Sequence, residues 1–150
     1  MNYKFKFKNQ HTCDAAVIHC VDFRFHEILN QSIKEVFEIN TYDLWTLPGC
    51  AKTILSSDET EYIEVFFNKI KAVSIGLHDI KQIILINHAD CGGYGGRQAF
   101  QSPEAERLKH KEDLTEAKKI LEQNFPELKV RIGYTDLNDE LSEITTSEIK

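Results

Sequence analysis

The sequence predicts an α/β fold, in which a parallel sheet of four to five strands carries helices on both faces. Short apolar runs alternate along the chain with longer segments whose apolar residues recur at helical spacing. The runs are apolar at consecutive positions, as in parallel strands that are covered on both sides. At 150 residues, the chain has the length of one domain.

Two strands and two helices are expected in the first half of the chain. Residues 15–20 form an apolar run that predicts a central strand, and residues 27–39 place apolar side chains at helical spacing. Residues 41–47 predict a second strand, which ends at the Pro48-Gly49 turn. Residues 56–73 begin with capping-box spacing and continue with one apolar helical face, which predicts the second helix.

The second half of the chain repeats this alternation. Residues 82–87 give the clearest strand, and Ser102 before Pro103 is typical of a helix start, since proline suits the first helical position. The helical pattern continues to the next proline, and residues 129–134 predict a fourth strand. Residues 136–150 hold five acids and one lysine, so we expect an acidic tail that is frayed or forms a short docking segment.

The predicted domain covers residues 14–135, with the acidic tail 136–150 after it and residues 1–13 before it. In residues 1–13, lysines and aromatic residues alternate with a period of two, which predicts an N-terminal arm or an edge strand. The alternating residues are Tyr3, Lys4, Phe5, Lys6, Phe7 and Lys8.

Composition excludes several classes of partner. The net charge of −6 argues against nucleic acid, which requires a basic face. No apolar run approaches the roughly 20 residues that cross a bilayer, and no signal peptide is evident, so we expect a cytoplasmic protein without a membrane partner. Because thiols stay reduced in the cytoplasm, the four cysteines suggest metal or catalytic chemistry. We interpret Cys13 and Cys50 as small buried apolar residues.

Two short clusters follow the first and third predicted strands: Cys20-Val-Asp-Phe-Arg24 and His88-Ala-Asp-Cys91-Gly-Gly. If the strands lie in the order 2-1-3-4, the clusters meet at the carboxyl edge where the strand order reverses, which is where α/β proteins bind ligands. Two thiolates and an imidazole form a zinc ligand set that leaves a fourth position for water. The sequence therefore predicts a Zn²⁺ site formed by Cys20, His88 and Cys91.

Asp22 and Arg24 lie beside the predicted metal ligand Cys20. Alternate residues of an extended chain point to the same side, so the three side chains are expected to face one site. A carboxylate bound by an arginine stays ionised and fixed in direction, and can accept a hydrogen bond from zinc-bound water. The alternative is an exposed ion pair that contributes little.

Three other kinds of site fit the sequence poorly. The interval between Cys20 and Arg24 is too short for the phosphate loop of a cysteine phosphatase. No Cys-x-x-Cys pair is present for a redox dithiol. The glycines after Cys91 are not followed by the Gly-Lys-Ser/Thr of a nucleotide-binding loop.

The pattern Cys-x-Asp-x-Arg followed by His-x-x-Cys-Gly resembles that of the β-class carbonic anhydrases. The resemblance implies a β-carbonic-anhydrase-like zinc domain, with Zn²⁺ bound by Cys20, His88 and Cys91 and with Asp22 and Arg24 as the catalytic dyad. It implies a carbonate dehydratase, a zinc lyase that reversibly hydrates carbon dioxide to bicarbonate by zinc-bound hydroxide. It also implies a homodimer.

The expected substrate pocket departs from the pattern of that family. Phe23 stands where members usually carry a small serine, and Gly49 is all that remains of the usual Arg-Asn-Ala-Gly segment. The residues expected to line the pocket are Phe23, Gly49, Gly92, Gly93 and Tyr94. These departures leave two alternatives: a non-catalytic zinc-binding or bicarbonate-sensing module, and a zinc hydrolase of carbonyl sulfide or carbon disulfide.

The sequence leaves open which residue exports protons and whether the zinc site has a fourth protein ligand. Proton export could use one of three histidines: His19, His26 or His78. Cys50, near the end of the second predicted strand, could supply a fourth thiolate, which would close the zinc site.

Overall fold

The computed structural model describes residues 4, 6, 7, 9–138 and 143–150. Within these residues the chain forms one five-stranded sheet, in the order β2-β1-β3-β4-β5. The strands are β1 (Ala15–His19), β2 (Tyr42–Thr46), β3 (Gln82–His88), β4 (Lys129–Asn138) and β5 (Glu143–Ile149). The first four are parallel, and β5 runs antiparallel to β4. The predicted α/β class and the order 2-1-3-4 are confirmed.

Helices connect the parallel strands. They are α1 (His26–Val36), α2 (Ala51–Leu55), α3 (Thr60–Ile70) and α4 (Pro103–Asn124), and Lys71–Ile75 continues α3 as a π-helical turn. The Ser102 hydroxyl accepts a hydrogen bond from the backbone N–H of Ala105 at 3.2 Å, so the expected start of α4 is confirmed. Helix α2 was not expected, because five residues are too few to show a helical period.

Alternating side chains of the strands divide the core into two layers. Ala15 and Val17 of β1 pack with α1 on one face of the sheet. Ala16 and Ile18 pack with α2, α3 and α4 on the other face. Every residue of β1 is buried, as expected for a central strand with helices on both sides.

The register of the sheet places two strand ends side by side. His19, the last residue of β1, pairs with Ile86, and β3 continues for two more residues to His88. Cys20 therefore leaves β1 next to the end of β3. Strand β2 lies on the other side of β1, so the chain order reverses at this point, as it does at ligand sites of α/β proteins.

The acidic C-terminal segment, expected to be frayed or to form a short docking segment, contributes strand β5, which pairs with β4. Arg131 of β4 binds the Glu148 carboxylate with Nε and Nη2 at 2.7 and 2.8 Å. The Ser32 hydroxyl of α1 donates to Thr146 Oγ1 at 2.9 Å. The β-branched residues of this segment favour a strand, while its acidic composition suggested a tail. Residues 139–142 lie outside the described part of the chain.

The N-terminal alternation is described only in part. Tyr3, Phe5 and Lys8 lie outside the described residues, and Lys4, Lys6 and Phe7 are not in a strand. An N-terminal arm or edge strand therefore stays a prediction. Among the described helices, none combines the length and the apolar character that crossing a bilayer requires.

Candidate metal centre

The side chains of Cys20, His88 and Cys91 converge at the carboxyl ends of β1 and β3. Their potential ligand atoms all lie within 4.8 Å of one another, and the two Sγ atoms are 3.9 Å apart. All three residues are buried. The chain turns between His88 and Cys91 at Asp90, whose φ of 54° lies in the left-handed region. The predicted ligand residues are thus together in the fold.

The imidazole of His88 is oriented for metal binding. Its Nδ1 lies 2.8 Å from the carbonyl oxygen of Ala89, and because a carbonyl can only accept, Nδ1 carries the proton. Nε2 then presents a lone pair, and this buried atom has no hydrogen-bond partner among the residues that the structure describes. A buried acceptor without a partner is costly, whereas a histidine whose other nitrogen donates to a carbonyl is the usual zinc ligand. The donor set therefore fits Zn²⁺.

A hydrogen bond joins the two buried sulfurs of Cys20 and Cys91. The hydrogen bond with Cys91 lowers the pKa of Cys20 well below its usual range, and the same contact raises the pKa of Cys91. Either sulfur can be the donor of this hydrogen bond. Both sulfurs must be deprotonated to bind a metal ion.

Asp22 is held beside this cluster by Arg24. Nη2 of Arg24 donates to Asp22 Oδ2 at 2.6 Å, and Nε donates to Oδ1 at 3.0 Å. The backbone N–H of Arg24 also donates to Oδ1 at 3.1 Å. These bonds hold the pKa of Asp22 at about 2, so the carboxylate is ionised at neutral pH. Its Oδ2 lies 4.0 Å from Nε2 of His88, at the border of the ligand cluster.

Two acidic residues that the sequence interpretation missed support this dyad. Nη1 of Arg24 donates to Asp90 Oδ2 at 2.6 Å, and Nη2 donates to the Asp90 carbonyl at 2.9 Å. The backbone N–H of Asp90 donates to the buried Glu106 carboxylate at 2.6 Å, and Asp90 Oδ1 accepts from the backbone N–H of Arg97 at 2.9 Å. An acid inside His-x-x-Cys was a visible signal for Asp90, whereas Glu106, on α4, gave no local signal.

A cavity of about 390 Å³ opens beside the cluster. Its lining residues are Cys20, Val21, Asp22, Phe23, Arg24, Pro48, Gly49, Gly92 and Gly93. Two loops meet here through their backbones, since a Cβ atom on Gly93 would lie 2.8 Å from the Cα of Gly49. Phe23 is 80% exposed at the rim.

Tyr94 does not line this cavity, unlike the other four predicted pocket residues. Its ring packs on His110 with the centroids 4.0 Å apart, and its hydroxyl accepts from Asn87 Nδ2 at 3.1 Å. The single helical turn Gly92–Tyr94 directs the tyrosine into the core, where it borders another cavity beside Lys52.

Other residues considered from the sequence lie outside the ligand cluster. Cys50 is buried, and burial raises its pKa, but it is not among the clustered ligand atoms of the described residues. Burial lowers the pKa of His19 to about 4, so its imidazole is neutral at neutral pH. His26 is exposed at the start of α1. His78 lies before β3, at the opposite edge of the sheet, where Nδ1 contacts Asp43 at 2.9 Å.

Comparison with known families assigns the chain. The family model described as "putative carbonic anhydrase" matches residues 10–145, which include both clusters. The chain belongs to this carbonic anhydrase family. The resemblance inferred from Cys-x-Asp-x-Arg and His-x-x-Cys-Gly is thereby confirmed.

Two curated relatives of this carbonic anhydrase family member come from Rickettsia species. An uncharacterized protein of Rickettsia bellii is 30% identical over 126 residues, which cover 82% of this chain and 76% of the relative. An uncharacterized protein of Rickettsia conorii is 29% identical over 126 residues, which cover 82% of this chain and 67% of the relative.

A solved structure is also similar to this chain. It is one of the tetrameric β-carbonic anhydrases of the filamentous ascomycete Sordaria macrospora, with a TM-score of 0.49 and 16% identity. The match covers 94% of this chain and 82% of that chain. The strand order of this chain's own sheet defines its α/β fold.

Proposed function

We propose that this protein is a Zn²⁺-dependent carbonate dehydratase that interconverts carbon dioxide and bicarbonate. The observation that carries the proposal is the pairing of a fitting donor set with an oriented carboxylate. Nε2 of His88 and two sulfurs face one point, and Asp22, held by Arg24, borders the same point. Membership of the carbonic anhydrase family supports the same reaction.

Cys20, His88 and Cys91 would hold the cation. When bound, Zn²⁺ would supply the Lewis acidity that lowers the pKa of a water molecule to about 7–9. Asp22 would accept a hydrogen bond from that water and so fix its direction. Because the pKa of Asp22 is about 2, the carboxylate orients the water and does not itself take up the proton near neutral pH.

Arg24 keeps Asp22 in this position. Its Nε, Nη1 and Nη2 atoms all donate to Asp22 or Asp90, so the guanidinium is anchored from two sides. The anchored guanidinium therefore fixes the orientation of the Asp22 carboxylate. Such fixed orientation is a large part of what an enzyme contributes to a reaction of a small molecule.

The cavity wall suits a small molecule without strong polarity. Val21, Phe23 and Pro48 supply apolar surface, and Gly49 and Gly93 let the backbone approach closely. Carbon dioxide needs no charged partner until it becomes bicarbonate. The wall therefore supports carbon dioxide as substrate.

The proposal includes a homodimer in the cytoplasm. Val21 and Phe23 are 47% and 80% exposed beside the site, and a second copy of the chain would cover this apolar rim. The two free sulfurs at 3.9 Å need a reducing compartment, because oxidation to a disulfide would remove both ligands. Light scattering of the purified protein tests the oligomeric state.

The decisive experiment measures metal content and carbon dioxide hydration on the same purified protein. We expect about one equivalent of Zn²⁺ at this site and stopped-flow turnover that Asp22→Ala abolishes while the metal is retained. A matched control is Asp79→Asn, since Asp79 is exposed in the loop before β3. Zinc at this site without turnover at any pH would indicate a binding module, and turnover of carbonyl sulfide or carbon disulfide alone would indicate a hydrolase.

A further inference from the structure

We propose that Cys13, Asp43 and His78 form a second binding site for a divalent cation of the Zn²⁺ class, at the amino edge of the sheet. Their potential ligand atoms all lie within 4.8 Å of one another. Sulfur, imidazole nitrogen and carboxylate oxygen together are ligands typical of zinc. None of these residues takes part in the proposed carbonate dehydratase site.

The two sites lie at opposite ends of β1. Cys20 follows β1, whereas Cys13 precedes it, and seven residues of extended chain span about 23 Å. Asp43 is the second residue of β2, and His78 lies in the loop before β3. The parallel sheet brings the carboxyl ends of β1 and β3 together at one edge. At the opposite edge it brings the amino ends of β1, β2 and β3 together.

Backbone hydrogen bonds hold these three segments together. The N–H of Cys13 donates to the carbonyl of His78 at 3.0 Å, and the N–H of Asp14 donates to the carbonyl of Thr41 at 2.9 Å. The Asp14 carboxylate also accepts from the N–H of Thr41 at 3.0 Å. The positions of the three ligand residues are therefore fixed by the fold before any cation binds.

The carboxylate of Asp43 has the supporting contacts of a metal ligand. The Ser74 hydroxyl donates to Asp43 Oδ2 at 2.6 Å, and the indole N–H of Trp45 donates to Ser74 Oγ at 2.9 Å. Such outer contacts orient ligand carboxylates in metal sites. His78 Nδ1 lies 2.9 Å from both carboxylate oxygens, so a cation between them would replace one hydrogen bond.

A cavity leaves room for the ion and for a fourth ligand. A space of about 380 Å³ is lined by Cys13, Asp43 and His78, and His11 lines it as well. His11 is exposed and precedes Cys13 by two residues, so rotation of its side chain could complete a four-coordinate site.

A nucleophilic role for Cys13 fits less well. Burial and the nearby Asp43 carboxylate raise the pKa of the thiol, whereas a nucleophilic cysteine needs a lowered pKa. Sγ of Cys13 donates to the carbonyl of Ala15 at 3.6 Å, an ordinary distance for a thiol donor. A bound cation would replace this thiol hydrogen bond with a bond to the thiolate.

Equilibrium dialysis against buffered micromolar Zn²⁺, with metal analysis, tests the proposal. We expect two ions per chain in the wild type, and loss of one ion in both Cys13→Ser and His78→Gln. Asp79→Asn is the matched control, because Asp79 adjoins His78 and stays outside the cluster, and it should keep both ions. Circular dichroism checks that each variant is folded.

Fluorescence gives an independent signal for the second site. Trp45 is the single tryptophan of the chain, and it reaches Asp43 through Ser74. Zn²⁺ added to protein that already holds its first equivalent should change the emission of Trp45, and this change should disappear in Cys13→Ser.

The outcomes separate this proposal from the proposed function. The second site is overturned if the wild type binds one ion per chain and Cys13→Ser and His78→Gln still bind it. It is also overturned if the wild type binds two ions and both variants retain both. Loss of an ion in these variants, with carbon dioxide hydration unchanged, supports the second site. If the two variants lose an ion and the wild type does not hydrate carbon dioxide, the second site is supported and the dehydratase proposal is contradicted.

Discussion

Arg24 binds Asp90 twice, through Nη1 to the carboxylate at 2.6 Å and through Nη2 to the backbone carbonyl at 2.9 Å. Nη2 also holds Asp22, so one guanidinium joins the turn after β1 to the turn after β3. The Asp22 carboxylate, which borders the ligand cluster, is thus linked through Arg24 to the turn between His88 and Cys91.

Replacing Arg24 by lysine should lower activity more than metal content. A lysine ammonium cannot bind two oxygens of Asp22 in a planar fork, so the carboxylate loses its fixed direction. We expect kcat for carbon dioxide hydration to fall about 100-fold, with bound Zn²⁺ unchanged. Stopped-flow kinetics and metal analysis check this, and an Arg24→Lys variant with normal kcat contradicts the role given to Arg24.

Glu106 should matter for both stability and turnover. Glu106→Ala removes the acceptor of the Asp90 N–H, and an unpaired donor of this kind costs about 1–3 kcal/mol. Glu106→Gln keeps an acceptor oxygen, so we expect it to lose less stability. The conservative variant should also recover most of the kcat lost in the alanine variant.

Urea unfolding and kinetics measure these effects. Glu104→Gln serves as the control, because Glu104 is exposed in the first turn of the same helix. Its stability should stay within about 0.5 kcal/mol of the wild type. Equal behaviour of the alanine and glutamine variants of Glu106 would argue against a role for the acceptor.

Two neighbouring glycines should respond differently to alanine. A Cβ atom at position 93 would lie 2.8 Å from the Cα of Gly49, so Gly93→Ala must push two backbones apart. We expect a loss of about 1–3 kcal/mol in the free energy of unfolding. In the described part of the chain, no atom beyond Gly92 and its two chain neighbours lies within 4 Å of the Cβ position at Gly92, so Gly92→Ala should change stability little. Similar unfolding curves for the two variants would contradict the close approach of the loops.

His110 should make stability depend on pH between about 4 and 6.5. Burial lowers its pKa from 6.5 to about 4, so in this interval the unfolded chain binds a proton that the folded chain does not. The full stability is therefore present above pH 6.5 and falls as the pH decreases. The loss reaches about 3 kcal/mol at the lower end.

His110→Phe should flatten this dependence. The comparison is made by urea unfolding in the presence of a chelator, because acid also releases zinc from its ligands. His19, whose pKa burial also lowers to about 4, remains in the variant and leaves part of the slope. An unchanged slope would show that His110 does not take part.

The part of the site that could be predicted follows from strand ends. Cys20 directly follows one apolar strand, and His88 ends another. Parallel strands bring such positions to one edge of the sheet. Three residues later, Cys91 had to lie near His88. Local spacing and sheet topology together therefore predicted the cluster.

The contacts that the sequence did not predict join residues that are far apart in the chain, and they depend on where each side chain points. Glu106 is an ordinary acid in a polar helix, and only the packing of α4 against β3 and β4 directs it to Asp90. Cys13, Asp43 and His78 are far apart in sequence and carry no motif. Tyr94 lies next to the predicted pocket in sequence, but a single helical turn rotates it into the core.

Strand β5 also changes how the β4 edge of the sheet can interact with other molecules. A parallel sheet that ended at β4 would present unpaired backbone donors and acceptors, which can pair with the same strand of a neighbouring molecule. Arg131 and Glu148 fasten β5 over that row. The new outer strand carries acidic residues, whose like charges oppose strand-to-strand aggregation. Deleting residues 143–150 should therefore lower solubility, even though none of these residues belongs to the cluster of Cys20, His88 and Cys91.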